Sequence, residues 1–267
     1  MVRLIVLLVA ALLLAPARAG ELRLLAADLP PYSYRVPSAS VSEFPGPGQG
    51  VVYEAVEAMA KRIDGQSELI EFMPWRTAQQ VAMTEPDVGI LALTRTAERE
   101  DKYRWLVKLV DDDLILVGGQ GVDVSSLEKV KNRPTGVLLL SGAQALLKQK
   151  GFTRIEPAPE EWINARKLRD RSIDAWLAPR QMVIYAYREV GGDPTVLNIG
   201  EIVRPSEIWL AGSKSLSDAE AAKWQKAFQE IRADGTFERI VAKYNRMKVV
   251  PIPDELRRED YEPIWVY

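Results

Sequence analysis

The chain of 267 residues contains no cysteine and no histidine. Without cysteine there are no disulfides, no thiol chemistry and no thiolate metal sites. Without histidine a Ser-His-Asp triad, an imidazole base and most zinc sites are impossible, which turns the reading away from hydrolases and metalloenzymes. Only carboxylate- or lysine-based catalysis survives. A charge excess is missing too: 35 Lys+Arg stand against 37 Asp+Glu, so nothing points to nucleic acid or a membrane surface. Beyond residue 19 no segment is apolar enough for a membrane helix. What is present is 47% hydrophobic residues, enough for the cores of two modest domains or one large one.

Residues 1–19 combine a basic Arg3, the apolar run Leu4 to Leu14 and the small-x-small set Ala17-Arg18-Ala19. This is the pattern of a secretory signal peptide, too short to span a bilayer, and it places the mature protein outside the cytoplasm. No cysteine precedes the cleavage point to carry a lipid.

The stretch around which the rest is organised is Asp87 to Trp105, DVGILALTRTAEREDKYRW. Val88 to Leu93 reads as a buried strand that opens directly into Arg95 and Arg99. Ligands of open α/β sheets sit beyond the carboxyl ends of strands, and an arginine there can grip a carboxylate through two parallel hydrogen bonds. The alternative for Arg99 is a surface pairing with Glu98, Glu100 or Asp101; Arg95 is open in the same way.

Upstream, Glu21 to Asp28 reads as a strand ended by Pro30-Pro31, with Tyr32 and Tyr34 in the loop that follows. Tyr32 either walls a ligand or caps the core. Val36 to Gly50 is a Pro/Ser/Gly-rich loop. Val51 to Ile63 is an amphipathic helix, and Glu68 to Met73 a strand. Trp75 then falls at a strand-to-helix turn before a helix from Thr77 to Met83. The order of strands and helices implies a parallel sheet with right-handed crossovers. Downstream, Leu106 to Val117 is extended and interrupted by Asp111-Asp112-Asp113. Consecutive strand side chains point to opposite faces, so the three acids read as a solvated turn rather than a metal cluster. A second module follows: strand Thr135 to Leu140, turn Ser141-Gly142, helix Ala143 to Lys150, then strand Ile173 to Leu177 and helix Gln181 to Val190. Ser141 stands at a helix N-terminus, an anion cradle that every such turn makes. Trp176 and Arg180 lie near a strand's carboxyl end, facing the first module's arginines. Thr195 to Ile202 and Ile208 to Gly212 read as two strands, and Asp218 to Ala233 as a helix with a capping box at Ser217 and Glu220.

Taken in order, PPYSY, GVVYEAVEAMAKRI, DVGILALTRTAERED, TGVLLLSGAQALLKQKG, SIDAWLA and ADGTFERIVAKY resemble the extracellular solute-binding proteins of family 3, the polar amino-acid receptors of bacterial ABC importers. The resemblance reaches to about Tyr244. It implies an α/β fold of the two-lobed periplasmic binding protein type (type II), with two hinge crossovers and closure around the ligand. Lobe one would comprise residues 20–113 and 206–250, lobe two 114–205, leaving 251–267 as a tail without an assigned role. It also implies that Arg99 grips the ligand carboxylate with help from Thr94 and Ser141, and that Trp75 is the aromatic wall. No cofactor or metal is implied, and the chain is expected to be a monomer.

One departure stands out. Where receptors of this family commonly carry an aspartate for the ligand's ammonium, this chain has Pro179 with Arg180 beside it. A cation there repels an ammonium, so either the solute lacks one or another acid, such as Asp28 or Glu207, supplies the partner. The leading expectation is thus a periplasmic receptor for a small anionic or zwitterionic solute, working with an ABC permease. The alternatives are an enzyme on the same scaffold, resembling cyclohexadienyl dehydratases with Glu207 or Asp28 as the acid, and a sensory binding protein without a transporter.

Overall fold

The computed structural model describes residues 22–35, 48–65 and 70–246. The expected signal peptide, most of the Pro/Ser/Gly-rich loop and the C-terminal tail lie outside the described residues. In chain order the elements are β1 (Arg23–Ala26), β2 (Tyr34–Arg35), β3 (Gly48–Gln49), α1 (Val51–Asp64), β4 (Ile70–Phe72), α2 (Trp75–Thr84), β5 (Val88–Thr94), β6 (Tyr103–Gly118), α3 (Leu127–Val130), β7 (Thr135–Leu138), α4 (Gly142–Gln149), β8 (Ile155–Ala158), α5 (Glu161–Arg169), β9 (Ala175–Pro179), α6 (Arg180–Glu189), β10 (Asn198–Ser213), α7 (Asp218–Ala233) and α8 (Thr236–Arg246).

One large sheet runs in the order β4-β1-β5-β10-β6-β9-β7-β8. Its flanks are parallel: β1 pairs with β4 and β5 on one side, and β7 with β8 and β9 on the other. The centre is antiparallel, where the two 16-residue strands β6 and β10 pair from Tyr103 opposite Ser213 to Gly118 opposite Asn198. Each long strand serves both halves. The Ile208–Gly212 end of β10 pairs with β5, and the Leu114–Gly118 end of β6 pairs with β9. The result is the two-lobed α/β fold, joined by two crossing strands.

The central pair corrects two sequence expectations. Residues Asp111, Asp112 and Asp113 are not a turn; they lie inside β6, opposite Glu207, Ser206 and Pro205. The segments 195–202 and 208–212 are not separate strands either. Residues 194–196 form a 3-10 turn, and from Asn198 to Ser213 the chain is one strand, β10, whose register shifts near Arg204 absorb Pro205, a residue that cannot donate to a ladder and is tolerated at such irregularities.

The cores follow from the sequence pattern. One cluster fills the first lobe, around Leu24, Val52, Met59, Ile90 and Ile231. The second lobe has two, one on each sheet face, around Leu116 with Leu147 and around Trp176 with Val183. A parallel sheet needs cover on both faces, hence β5 is buried along Val88 to Leu93 without alternation. α1 buries Val52, Ala55, Val56, Met59 and Ala60, the face its helical spacing assigns. It ends at Gly65, whose left-handed φ of 72° returns the backbone N–H to Lys61 O. α7 starts where its capping box places it, with the Ser217 hydroxyl accepting from Glu220 N at 3.1 Å.

Candidate functional site: a cavity between the lobes

Several elements end at the cleft, and their local chemistry fixes what they present. The loop after β1 is held by the start of α1, whose first N–H groups have no partner inside the helix. Val51 N donates to Pro31 O at 3.0 Å, while Val52 N and Tyr53 N donate to Tyr32 O at 2.9 and 3.0 Å. Tyr32 is thereby set with 1% of its surface exposed, and its hydroxyl donates to Asp112. Asp112 also accepts from Gln181 N at 3.1 Å and from Asp113 N at 2.7 Å, so it caps the first turn of α6. Burial raises the pKa of Asp112 from the usual carboxylate range, opposed by these three hydrogen bonds.

The end of β5 carries the other half of the site. Ala92 takes a left-handed φ of 58°, a strained value for a residue with a Cβ, and Thr94 and Arg99 follow on the cavity wall. Arg99 is 8% exposed. Its guanidinium donates to Thr94 O at 3.0 Å, Gln79 Oε1 at 2.8 Å and Leu140 O at 3.3 Å. All three acceptors are neutral, and among the described residues Arg99 makes no salt bridge. Burial lowers its pKa from the ordinary arginine value, with Tyr103 and Glu98 opposing and Arg204 adding to the shift; the group stays charged.

Arg99 and Thr94 join Tyr32, Trp75, Ala92, Leu114, Leu138, Ser141, Glu161, Met182, Arg204 and Ser206 around a cavity of about 40 Å³. A water needs roughly 10–15 Å³ on this measure, so the closed cleft has room for a few waters and not for an amino acid. The lobes meet tightly here: a Cβ added to Gly142 lies 3.0 Å from Thr96 Cγ2 and 3.4 Å from Arg204 Nη2. A wider depression of about 460 Å³ lies between α1, α7 and α8, but it is open surface where Lys61 pairs with Glu57 at 3.7 Å and Arg62 with Asp234.

The sequence-predicted residues divide cleanly. Arg99, Thr94, Trp75, Tyr32 and Ser141 converge on the cavity; Arg95, Arg180 and Trp176 are not among its lining. Arg95 turns to the outside of the first lobe, where it holds Glu100 through 2.7 and 3.0 Å hydrogen bonds and lies over Trp105 and Trp209. Arg180 is paired with Asp113 at 3.2 Å. Trp176 is wholly buried in a second-lobe core, and its indole donates to Glu161 Oε2 at 2.9 Å; it supports the wall from behind. Ser141 is the N-cap of α4, accepting from Gln144 N at 3.2 Å. Trp75 is the first residue of α2 rather than part of a preceding turn. Its indole N–H is buried, and no acceptor for it exists among the described residues.

Asp28 and Glu207, the acids suggested as an ammonium partner, are both engaged elsewhere. Asp28 takes Arg35 N at 2.8 Å and its guanidinium at 2.5 Å; Glu207 takes the Trp209 indole at 3.0 Å and lies 3.6 Å from Lys108. The carboxyl that does line the cavity is Glu161, 5% exposed. Sequence reading passed over it, along with Gln79, Met182 and Arg204. A signal existed for Glu161: it stands three, four and seven residues before Asn164, Ala165 and Leu168, all on the buried face of α5.

The model of one protein family, described as bacterial extracellular solute-binding proteins, family 3, matches residues 24–247. Among curated proteins no match is found. Solved structures with the same fold include a histidine kinase sensor domain with similarity to periplasmic binding proteins (TM-score 0.72, 16% identity, covering 86% of this chain and 98% of that one). A substrate-binding protein of an ABC uptake transporter from Streptococcus pneumoniae with bound histidine gives a TM-score of 0.71 at 17% identity, covering 85% and 94%. The arginine-, lysine-, histidine-binding protein ArtJ from Geobacillus stearothermophilus gives 0.70 at 17%, covering 88% and 99%. At these identities the likeness is one of fold.

Proposed function

The chain belongs to the bacterial extracellular solute-binding proteins of family 3, and from that premise we propose that it captures a small carboxylate-bearing solute, an amino acid or a related organic acid, in the cleft between its lobes. The observation that carries the reading is Arg99: a buried guanidinium on the cavity wall that meets only neutral oxygens. A carboxylate carries a full opposite charge and can accept two parallel hydrogen bonds from one guanidinium, so it binds a cation more strongly than a neutral oxygen does. A carboxylate displacing Leu140 O and Gln79 Oε1 therefore gains from a cation whose desolvation has already been met in folding. Thr94 and Ser141 add hydroxyls on either side, the Trp75 indole offers the donor that lacks an acceptor, and Tyr32 packs against the solute's body.

Lobe one consists of residues 20–113 and 206–250 and lobe two of 114–205. The pairing of Asp113 with Pro205 at the middle of the crossing strands supports these borders. Rotation about that pair opens the cleft, and the solute closes it. The protein works in the periplasm after removal of residues 1–19, as a monomer, delivering its solute to an ABC permease or signalling closure to a sensor. The reading is one of binding; Asp28 and Glu207, the acids the sequence offers for chemistry, are held away from the cavity.

The test is a thermal-shift screen across amino acids, oxo acids and dicarboxylates, followed by calorimetry of the compounds that stabilise. Arg99→Gln is expected to abolish binding of each carboxylate hit. Unchanged affinity in that variant sinks the assignment.

A further inference from the structure

We propose that Glu161 is a ligand-contacting group, taking a positively charged N–H donor of the solute, an ammonium or amidinium, on the second-lobe wall of the cleft. The proposal rests on the carboxylate-anchoring reading of Arg99 and adds a second pole to the same cavity.

Glu161 is built into place. Its Oε2 accepts from Asn164 Nδ2 at 2.8 Å and from Trp176 Nε1 at 2.9 Å, and both donors belong to residues with no exposed surface. The carboxyl is therefore aimed by a rigid second row rather than left to choose a rotamer. Among the described residues its Oε1 has no hydrogen-bond partner and the side chain makes no salt bridge. The Tyr32 hydroxyl, on which Glu161 acts, is committed to Asp112, and on α6 Arg180 is committed to Asp113 while Glu189 acts on Tyr34 and Tyr185. The cations on the cavity wall, Arg99 and Arg204, are not among the influences on it. A buried carboxylate without a cation beside it is costly, and neither wall cation pairs with Glu161, which leaves that place to the solute.

The titration follows the same geometry. Burial pushes Glu161 up to about 7, against the two hydrogen bonds that favour its charged form. Near neutral pH the free protein thus holds a proton on about half of these carboxyls. An ammonium seated beside Glu161 favours the carboxylate, and the displaced proton passes to the buffer: the carboxylic acid and the cation become an ion pair plus one free proton. About half a proton is released per solute bound at pH 7, and none for a solute that lacks the cationic group.

The experiment uses matched probes: L-glutamate against 2-oxoglutarate, L-alanine against pyruvate, and L-phenylalanine against phenylpyruvate. Calorimetry at pH 7 in phosphate and in Tris reads proton release from the difference in apparent enthalpy, and needs only the wild-type chain. The expected result is at least tenfold tighter binding of an amino acid than of its oxo partner, release of about half a proton, and loss of both in Glu161→Gln. That variant keeps an oxygen for Asn164 and Trp176, and its folding is checked by circular dichroism. Equal affinity within a pair, zero proton release, or a preference that survives in Glu161→Gln overturns the role of Glu161 while Arg99 keeps its own. Binding that survives Arg99→Gln, or no stabilisation by any of the six probes, overturns the carboxylate reading and this inference with it.

Discussion

The indole N–H of Trp75 offers a test of the site that compares two tryptophans in one chain. Trp75→Phe removes a buried donor that has no acceptor among the described residues, a group whose burial costs about 1–3 kcal/mol. The smaller ring also forfeits contact, about 1–2 kcal/mol for the apolar area and the space left behind. The two nearly cancel, and the variant is expected to lie within about 1 kcal/mol of wild type. Trp176→Phe loses similar contact, but there the indole donates to Glu161 Oε2 at 2.9 Å. Severing that bond leaves the buried carboxyl with Asn164 alone and adds about 1.5–3 kcal/mol. The gap between the variants is then about 4 kcal/mol, or roughly 8–16 °C in Tm for a chain of this size. Urea denaturation of both variants without ligand measures it directly. The assay has a second arm: with a carboxylate probe bound, Trp75→Phe should lose about tenfold in affinity, the equivalent of one hydrogen bond. If Trp75→Phe proves as destabilising as Trp176→Phe, the Trp75 N–H has a partner and its place in the site falls.

Three further outcomes are expected. Arg95→Gln should leave solute affinity within about twofold of wild type and cost under about 1 kcal/mol, because its Glu100 pair is partly exposed on the outer face; a loss comparable to that of Arg99→Gln in calorimetry would contradict the separation of the two arginines. Gly50→Ala should prevent folding or cost several kcal/mol, since Gly50 has φ of 128° and an added Cβ falls 2.2 Å from Tyr32 O; a normal Tm would disprove the tie between α1 and the Tyr32 loop. Stability should also fall as pH rises from about 4.5 to about 7. Glu161 binds its proton more tightly in the folded protein, where it titrates at about 7 instead of 4.5, so its contribution is complete below the unfolded value and lost through the folded one, by up to about 3 kcal/mol. Urea midpoints between pH 4.5 and 8 should show this slope reduced in Glu161→Gln, the remainder coming from Asp112, which is raised in the same direction; an identical slope in the variant would refute the assignment.

How legible these features were depended on the range of the interactions behind them. α7 was read to its residue because Ser217 and Glu220 cap it locally, and β5 because six consecutive apolar residues suit a strand covered on both faces. Arg99 was legible because it follows that strand directly. The three aspartates were misread because what keeps them in a strand lies far off: Tyr32 is 80 residues from Asp112, and Arg180 is 67 from Asp113. Glu161 stands in a helix's first turn, where an acid is ordinary, and beyond its place on the buried face of α5 it is the partners Trp176 and Asn164 that distinguish it. Arg180 follows the carboxyl end of β9 as expected, but the strand starts two residues later than its apolar run suggests, which puts Trp176 at its opposite end, and residue number along a strand does not say which layer a side chain enters. Trp176 went into the core and Arg180 to Asp113.

The crossing strands also explain why the proposed hinge and the site are hard to separate. β6 carries Asp112 and Asp113, which fasten α6 of the second lobe by its first turn, while Tyr32 of the first lobe reaches the same Asp112. β10 carries Arg204 and Ser206 onto the cavity wall. Beyond that pivot, the polar contacts that join the lobes among the described residues include Arg99 and Gln79 to Leu140 O at 3.3 and 3.5 Å, and Tyr34 hydrogen-bonded to Tyr185 with their rings 5.3 Å apart. A neutral hydrogen bond is worth about 1 kcal/mol and one from a charged donor such as Arg99 about 1.5–3 kcal/mol, so on the proposed reading parting the lobes costs a few kcal/mol at the rim while the pivot stays intact. Leu140, held at a left-handed φ of 58°, presents its carbonyl to Arg99 at some conformational cost. On the proposed reading a solute carboxylate takes that acceptor's place. The contact that closes the free protein is then also the one that capture replaces, and the strained Leu140 carbonyl is a weaker competitor for Arg99 than a carboxylate.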